Sequence, residues 1–228
     1  MKTSFITASF ITAMALSSAA NALVINPENN GTALANTILG SGISISNVNY
    51  SGADGASGTF TGGNSAGLAI DKGIVLSSGQ ATNAIGPNTT NGAGTDNGAA
   101  GYAPLTDISG FTTFNASILT FDFEFNGGTG GDLFFNFVFG SEEYLEWVNS
   151  SYNDVFGFFV DGVNVALTPG SGDPITINTI NTSQNSGLFV DNTTGIYNTQ
   201  MDGFTKSLQI TLKGLSAGLH TMEFAIAD

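Results

Sequence analysis

Apolar and polar side chains alternate between residues 119 and 125 of the segment 118–125. Leu119, Phe121 and Phe123 fall on one side of an extended chain, and a threonine and two carboxylates fall on the other. A period of two residues is that of a β-strand with one buried face. The same period recurs in three more segments, at residues 133–139, 208–212 and 222–226. The chain is therefore predicted to consist mainly of amphipathic strands.

Two segments depart from simple alternation. The alternation of residues 43–50 changes phase between Ile45 and Val48, which predicts a β-bulge. Residues 155–160 are apolar on both faces, which predicts a central strand covered on both sides. Shorter strands are predicted at residues 73–77, 163–167, 175–180 and 188–190.

Helical periodicity is confined to residues 33–39, where Leu34 and Ile38 share one face and Gly40 follows as a stop signal. Residues 83–101 are rich in Asn, Gly and Thr and predict a long surface loop. Many strands with turn residues between them, and almost no helix, favour an all-β fold. We predict a jelly-roll-like β-sandwich with one short N-terminal helix.

The N-terminus has the pattern of an export signal. Lys2 is followed by an apolar stretch at residues 5–16 and by small residues at 20–22, which predicts a signal peptide at residues 1–22. The apolar run is too short to span a bilayer, and no later segment is long and apolar enough. We expect residues 23–228 to form a single β-sandwich domain. Because the last predicted strand stops without a turn or tail, we expect that domain to be truncated at its C-terminal end.

Charge and cysteine content narrow the possible functions. The formal net charge is −14 with four basic residues, and removal of Lys2 with the signal peptide takes it from −14 to −15. Such a chain repels nucleic acid and anionic lipid, so we expect no nucleic-acid partner. The sequence has no cysteine, which excludes disulfides and thiolate chemistry. Simple solubility and attraction of divalent cations are both compatible with the acidic charge.

The densest acidic cluster follows the strand at residues 133–139. Glu142, Glu143 and Glu146 fall within five consecutive residues, and Asp154 comes soon afterwards. Hard oxygen ligands grouped in a loop are typical of calcium sites. Asp228 ends another predicted strand, so the candidate metal ligands are Glu142, Glu143, Asp154 and Asp228. A solvated connection between two strands remains the alternative.

Two aromatic side chains accompany the acidic cluster. Tyr144 and Trp147, the only tryptophan, are candidates for stacking on a sugar ring. Calcium is thus the one cofactor that we consider, and a carbohydrate is a candidate ligand.

Other chemistries have weaker support. Asp122 and Glu124 lie two residues apart on one strand face, as in some glycosidases, although alternation alone predicts polar residues there. Residues 127–135 match one calcium-binding β-roll repeat, but a lone copy lacks the stacked neighbour, and a glycine-rich hairpin loop is the simpler interpretation. His220 is the only histidine, and no nucleophile-elbow motif accompanies it. We expect no catalytic residues and no enzyme activity.

One block is specific enough to indicate a family. Residues 137–144 read FVFGSEEY and residues 152–162 read YNDVFGFFVDG, and both resemble the signature of the choice-of-anchor L domain. Further blocks resemble that family in order: residues 40–52, 73–79, 175–178, 198–203 and 225–228. The resemblance implies a bacterial exported domain that is tethered outside the cell by C-terminal sorting signals, among them PEP-CTERM tails. The family supplies no established catalytic residues to transfer, and the resemblance implies a further acidic stretch and a closing strand after the last block.

From these observations we predict a non-catalytic module that is secreted or anchored at the bacterial cell surface. Its expected role is adhesion or envelope assembly, as a cell-surface or extracellular-matrix component. Its expected partners are the cell envelope or an extracellular polysaccharide or protein. A calcium-dependent carbohydrate-binding module is the first alternative, and a glycoside hydrolase is the second.

Overall fold

A computed structural model describes residues 22–228. The predicted signal peptide therefore lies outside the described residues, except for Ala22. The two α-helices are α1 (Gly31–Ile38) and α2 (Ala103–Ser109). The strands are β1 (Val24–Pro27), β2 (Ile43–Ser51), β3 (Ser57–Thr61), β4 (Lys72–Leu76), β5 (Ser117–Phe125), β6 (Gly131–Phe137), β7 (Gly140–Ser141), β8 (Val155–Val160), β9 (Val163–Asn164), β10 (Ile175–Thr176), β11 (Phe189–Asp191), β12 (Gly203–Thr205), β13 (Leu208–Leu215) and β14 (His220–Ala227).

The main sheet has the strand order β10-β8-β14-β5-β2, and all its pairs are antiparallel. Strand β14 lies at the centre, with Phe224 opposite Leu119 of β5 and Phe158 of β8. The predicted bulge in β2 is confirmed, because the register with β5 shifts between Ser46 and Asn49. The central position of β8 is also confirmed, since it pairs with β14 and β10 and its residues are buried on both faces.

A second layer covers one face of the main sheet and makes the fold a β-sandwich. It contains the sheets β1-β3-β4, β6-β13 and β7-β12-β11. Phe135 of β6 packs against Phe158 and Phe224 of the main sheet, with ring centroids 5.3 Å and 4.9 Å apart. The all-β sandwich prediction is thus confirmed, and the phenylalanines of alternating strands form its core.

Helix α1 is close to the predicted segment. The side chain of Asn30 caps it by accepting a hydrogen bond from the backbone N–H of Ala33 at 3.0 Å, and Leu34 is buried against the sandwich. Helix α2 corrects the prediction of a single helix. Its buried Leu105 packs on Phe159 at the outer face of the main sheet. With one buried leucine in seven residues, α2 offers no detectable period.

The glycine-rich segment after β5 also differs from expectation. Strands β5 and β6 belong to different sheets, so residues 126–130 connect the two layers and do not close a hairpin. Gly127 and Gly128 have positive φ angles of 95° and 70°, which a side chain would disfavour in this reversal. Neither described helix has the length and apolar character needed to cross a bilayer.

Candidate functional site

Four carboxylates meet at one rim of the sandwich because of how the strands end. Glu142 and Glu143 follow β7, Asp154 immediately precedes β8, and Asp228 immediately follows β14. In the antiparallel β8–β14 pair, Val155 lies opposite Ala227, which places Asp154 beside Asp228. We call Glu142, Glu143, Asp154 and Asp228 the rim carboxylates. The structure therefore brings together all four residues that the sequence suggested as metal ligands.

The rim carboxylates carry buried oxygens with no hydrogen-bond partner among the described residues. These atoms are Oε2 of Glu142, Oε2 of Glu143, Oδ1 of Asp154 and Oδ1 of Asp228. Some neighbouring polar groups are paired, since the backbone N–H of Glu143 donates to Ser141 Oγ at 2.9 Å and the side-chain amide of Asn115 donates to Asp228 Oδ2 at 3.3 Å. An unpaired buried carboxylate oxygen is costly, so such a concentration indicates a ligand or a proton at this rim.

Burial and mutual repulsion raise the pKa values of these groups. Burial is the main cause that raises the pKa of Glu143 to about 8, followed by the charges of Asp154, Asp228 and Glu142. Burial also raises the pKa of Glu142 to about 7, with the negative charges of Asp202 and Asp154 adding to the effect. The pKa values of Asp154 and Asp228 are raised as well, chiefly by burial. Near neutral pH the four groups therefore resist full ionisation unless a cation neutralises them.

We expect the metal-free protein to become more stable as the pH falls from 8.5 to 5.5. The carboxyl group of Glu143 has a pKa of about 8 in the folded protein, against an ordinary value of 4.5. Its ionisation therefore destabilises the folded state increasingly as the pH rises from 4.5 to 8, and protonation removes that cost. The melting temperature in chelator should rise across this interval. His220, whose pKa is raised by its hydrogen bond to Asp161, acts in the same direction. The variant Glu143→Gln separates the contribution of Glu143 from that of His220. The melting temperature of this variant should depend less on pH, and an unchanged slope would contradict the assignment of the effect to Glu143.

Two further acids join the cluster that the sequence did not single out. Asp202 is fully buried, and one of its oxygens accepts a hydrogen bond from Asn88, whereas Oδ2 has no partner among the described residues. Its charge acts on Glu142. Asp96 accepts hydrogen bonds from Gly98 and Asn115, and its charge acts on Asp228. Both lie far from residues 142–154 in sequence; Asp202 falls inside the family block at residues 198–203, but no local pattern assigns either residue to the rim.

The rim is not a finished metal shell. Within residues 22–228 no three carboxylate or histidine side chains are already arranged to hold a metal ion. The side chains would have to move to enclose a cation. Asn153, which immediately precedes Asp154, is already engaged in other contacts: its Oδ1 accepts a hydrogen bond from the backbone N–H of Asn178, and its side-chain amide donates to the carbonyl of Ser109.

The structure places the two aromatic candidates, Tyr144 and Trp147, in different environments: one is buried and the other is exposed. Tyr144 has no exposed surface; its hydroxyl donates to the carbonyl of Ile180 at 2.7 Å, and its ring packs against Phe189. This corrects the assignment of Tyr144 to ligand binding, because a ring held inside the core cannot stack on a sugar. Trp147 is 47% exposed and lies 4.8 Å, between ring centroids, from Tyr152, which is 58% exposed. The exposed tyrosine beside Trp147 is therefore Tyr152 and not Tyr144, which the sequence had suggested.

The other candidate groups are tied into the fold. Asp122 accepts hydrogen bonds from Asn47 at 2.7 Å and Thr221 at 3.2 Å, while Glu124 is exposed on the same strand. Nδ1 of His220 lies 2.7 Å from Asp161 Oδ2. Its Nε2 lies 3.0 Å from the backbone carbonyl of Ser216 and 3.4 Å from the hydroxyl of the same residue.

The histidine geometry resembles a triad only superficially. A carbonyl oxygen can only accept, so Nε2 of His220 donates a proton to it and has no lone pair for the Ser216 hydroxyl. The ring also stacks on Phe123 at 5.4 Å. We interpret the pair His220–Asp161 as a structural contact that connects the start of β14 to the turn after β8.

Comparison with known proteins supports the family that the sequence motifs indicated. No curated protein and no solved structure matches the chain significantly. The family model of the Choice-of-anchor L domain matches residues 24–228. That match covers nearly the whole sequence, including the three strands whose ends form the rim. The chain therefore belongs to the Choice-of-anchor L domain family.

Proposed function

We propose that this surface-associated bacterial module is a non-catalytic component in adhesion or envelope assembly, and that its rim carboxylates bind a calcium ion. One observation carries the proposal: four buried carboxylate oxygens that have no partner within residues 22–228 converge from the ends of β7, β8 and β14. A bound cation would tie together chain segments from both layers. The module would then be rigid outside the cell, where calcium is plentiful, and looser without it.

The chemistry of the rim favours calcium over other common metals. The candidate ligands are all oxygens, which hard cations prefer, and the described part of the chain offers neither thiolate nor a second imidazole for zinc. Calcium takes six to eight oxygens in flexible geometry, so backbone carbonyls and water can complete a shell that four carboxylates begin. A side-chain adjustment at the rim is easier to reconcile with calcium than with magnesium, which demands near-octahedral geometry.

The direct test is calorimetric titration of the chelator-treated protein with calcium chloride at pH 7.5 and at pH 5.5. Because protons compete for carboxylates whose pKa values are raised, binding should be several-fold weaker at the lower pH. Magnesium should bind more weakly than calcium. Absence of binding at pH 7.5, or an affinity that ignores pH, would contradict a site made of these groups.

A second candidate function, carbohydrate binding, is favoured by the exposed pair Trp147 and Tyr152. Aromatic faces that point to solvent beside an acidic rim are suited to stacking on sugar rings. The backbone N–H of Trp147 donates to the carbonyl of Glu143 at 3.1 Å, so the tryptophan is attached to the proposed metal loop. Calcium would therefore hold the stacking surface in place.

We expect Trp147→Ala to weaken retention on a glycan array by about threefold to tenfold, the range typical of one aromatic contact. Phe134→Ala is the matched control, because Phe134 is also exposed, at 58%, but lies on β6. Chelator should weaken retention in the wild type. Equal loss in both variants, or retention by no glycan at all, would contradict the carbohydrate-binding candidate and leave the calcium proposal to its own test.

A further inference from the structure

Two acids face each other across the end of a strand pair in the second layer. In the antiparallel β7–β12 pair, Gly203 lies opposite Ser141, so the next step of the register places Asp202 opposite Glu142. Asp202 immediately precedes β12, and Glu142 immediately follows β7. Like charges directly opposite each other on paired strands repel and destabilise the pair. These two carboxylates therefore need a compensating positive charge.

The carboxylate of Asp202 is buried and receives no such charge from the protein. Its exposed fraction is 0%, and its Oδ2 has no hydrogen-bond partner within residues 22–228. The other oxygen accepts a hydrogen bond from the side-chain amide of Asn88. In the same part of the chain, the one ion pair joins His220 to Asp161 and does not involve Asp202. A buried carboxylate oxygen in this state indicates a cation or a proton beside it.

Buried amide side chains fix the chain on the N-terminal side of Asp202. Asn192 has no exposed surface, and its amide donates a hydrogen bond to the carbonyl of Met201 at 2.9 Å. The amide of Gln200 donates to the carbonyl of Thr90 at 2.8 Å, which holds the long loop rich in Asn, Gly and Thr against this segment. Asp202 is therefore presented from a well-connected support, as a ligand-binding side chain requires.

The same loop brings further oxygen atoms to both acids. Asn88 contacts Asp202, and the backbone N–H of Ala93 acts on the carboxylate of Glu142. The segment 88–93 therefore passes both carboxylates. Calcium takes six to eight oxygens, which include backbone carbonyls and water as well as carboxylates. Two acids and this segment together offer the kind of ligands that calcium uses.

Asp202 is poorly placed to share an ion with the acids of the main sheet. It lies at the end of β12 in the second layer, whereas Asp154 and Asp228 lie at the ends of β8 and β14 in the main sheet. Packed layers are about 10 Å apart, and two oxygens bound to one calcium ion are at most about 5 Å apart. Glu142 is close to both groups, because the charges of Asp202 and Asp154 both act on it.

We propose that a second calcium ion binds between Asp202 and Glu142. The first ion stays with Glu143, Asp154 and Asp228, and Glu142 contributes to both sites. The proposal rests on the proposed calcium function, because the two ions share Glu142, but it assigns an additional ion and an additional ligand. When ionised, the five carboxylates carry five negative charges, of which one calcium ion offsets two and a pair of ions offsets four.

The test counts calcium ions by equilibrium dialysis of the chelator-treated protein against calcium chloride at pH 7.5. The wild type should bind two ions per chain. Asp202→Asn, which keeps the size of the side chain and the acceptor for Asn88, should bind one ion, and Glu143→Gln should retain only the other. The double variant should bind none at concentrations that saturate the wild type. Affinity for the lost ion should fall at least about tenfold.

The matched control is Asp191→Asn. Asp191 is exposed on the neighbouring strand β11, and its carboxylate accepts a hydrogen bond from the hydroxyl of Thr193 at 2.7 Å. The substitution removes one charge from the same sheet without removing a proposed ligand. Because solvent and salt screen an exposed charge, the variant should bind two ions with affinities within about twofold of the wild type. Loss of an ion in this variant as well would overturn the assignment to Asp202.

Thermal melting in chelator gives an independent measurement. Asp202→Asn should melt no lower than the wild type, because it removes a buried charge that has no partner. A lower melting temperature would mean that contacts within the protein already satisfy this charge, and would overturn the site. Glu142→Gln gives a second dialysis measurement on a side chain that is only half-buried. It should weaken both ions, and weakening of one ion alone would overturn the shared ligand.

The ion counts separate the failure of this proposal from the failure of the first calcium site. A single ion in the wild type that Glu143→Gln removes and Asp202→Asn retains would overturn the second ion alone and indicate a proton at Asp202. A single variant that binds no ion would mean that one ion uses all these acids, which also overturns the second site. No ion in the wild type would overturn both proposals.

Discussion

Replacing Phe224 by alanine is expected to lower the free energy of unfolding by about 3–5 kcal/mol. Phe224 lies in the central strand β14 and is almost completely buried. Its ring stacks on Phe158 at 4.5 Å with an interplanar angle of 10°, and it contacts Phe135 of the facing layer. Truncation would remove both contacts and leave a cavity that packed neighbours can fill only in part.

Chemical denaturation with urea measures this effect. Phe134→Ala is the matched control, because Phe134 is one residue from Phe135 but is 58% exposed. Exposed truncations usually change stability by about 0.5 kcal/mol or less. Since a typical domain has only about 5–15 kcal/mol of stability, the Phe224 variant should be marginal at 37 °C. A loss below about 1 kcal/mol would mean that the centre of the sandwich is not packed as described.

Calcium is expected to raise the melting temperature of the wild-type protein by about 5–10 °C. A ligand at a hundred times its dissociation constant adds about 2.7 kcal/mol to folding, and for a chain of this size each kcal/mol corresponds to about 2–4 °C. The ion would offset the repulsion that burial intensifies at Glu142, Glu143 and Asp154. The gain should shrink at pH 5.5, where protons already neutralise part of the cluster.

The variants Glu143→Gln and Glu124→Gln make this prediction specific. Glu143→Gln should raise the metal-free melting temperature, because one repelling charge is lost, and should reduce the calcium shift. Glu124 is exposed on β5, so Glu124→Gln should leave both values near the wild type. A shift of equal size in all three proteins would indicate a general salt effect, and no shift in the wild type would identify the rim as a solvated connection.

Much of the architecture could be predicted from local sequence pattern. The alternation at residues 118–125 is a property of neighbouring side chains, and it correctly predicted the buried face of β5. The doubly apolar run at residues 155–160 correctly predicted a central strand. The change of phase in β2 correctly predicted its bulge. These features follow from the two-residue period of an extended chain and need no knowledge of distant contacts.

The candidate site could be predicted only in part. The grouping of Glu142 and Glu143 is visible as a run of acids, and Asp228 was included because it ends a predicted strand. The place of Asp202 at the rim could not be predicted from the sequence. Asp202 is fully buried, and it accepts a hydrogen bond from Asn88, which lies more than a hundred positions away in the chain. Tyr144 and Tyr152 also could not be distinguished, because each is a tyrosine in a loop near acidic residues.

By itself the sequence determined the long amphipathic strands, the acidic charge, the absence of thiol chemistry and the family signature, because each is encoded by residue identity and short-range spacing. The tertiary structure decided what lies beside what. The pairing of β8 with β14 places Asp154 next to Asp228, and the core encloses Tyr144 and leaves Tyr152 beside Trp147. Such contacts join residues that are far apart in the chain, and strand pairing is selected by burial summed over the whole sandwich and not by any local pattern.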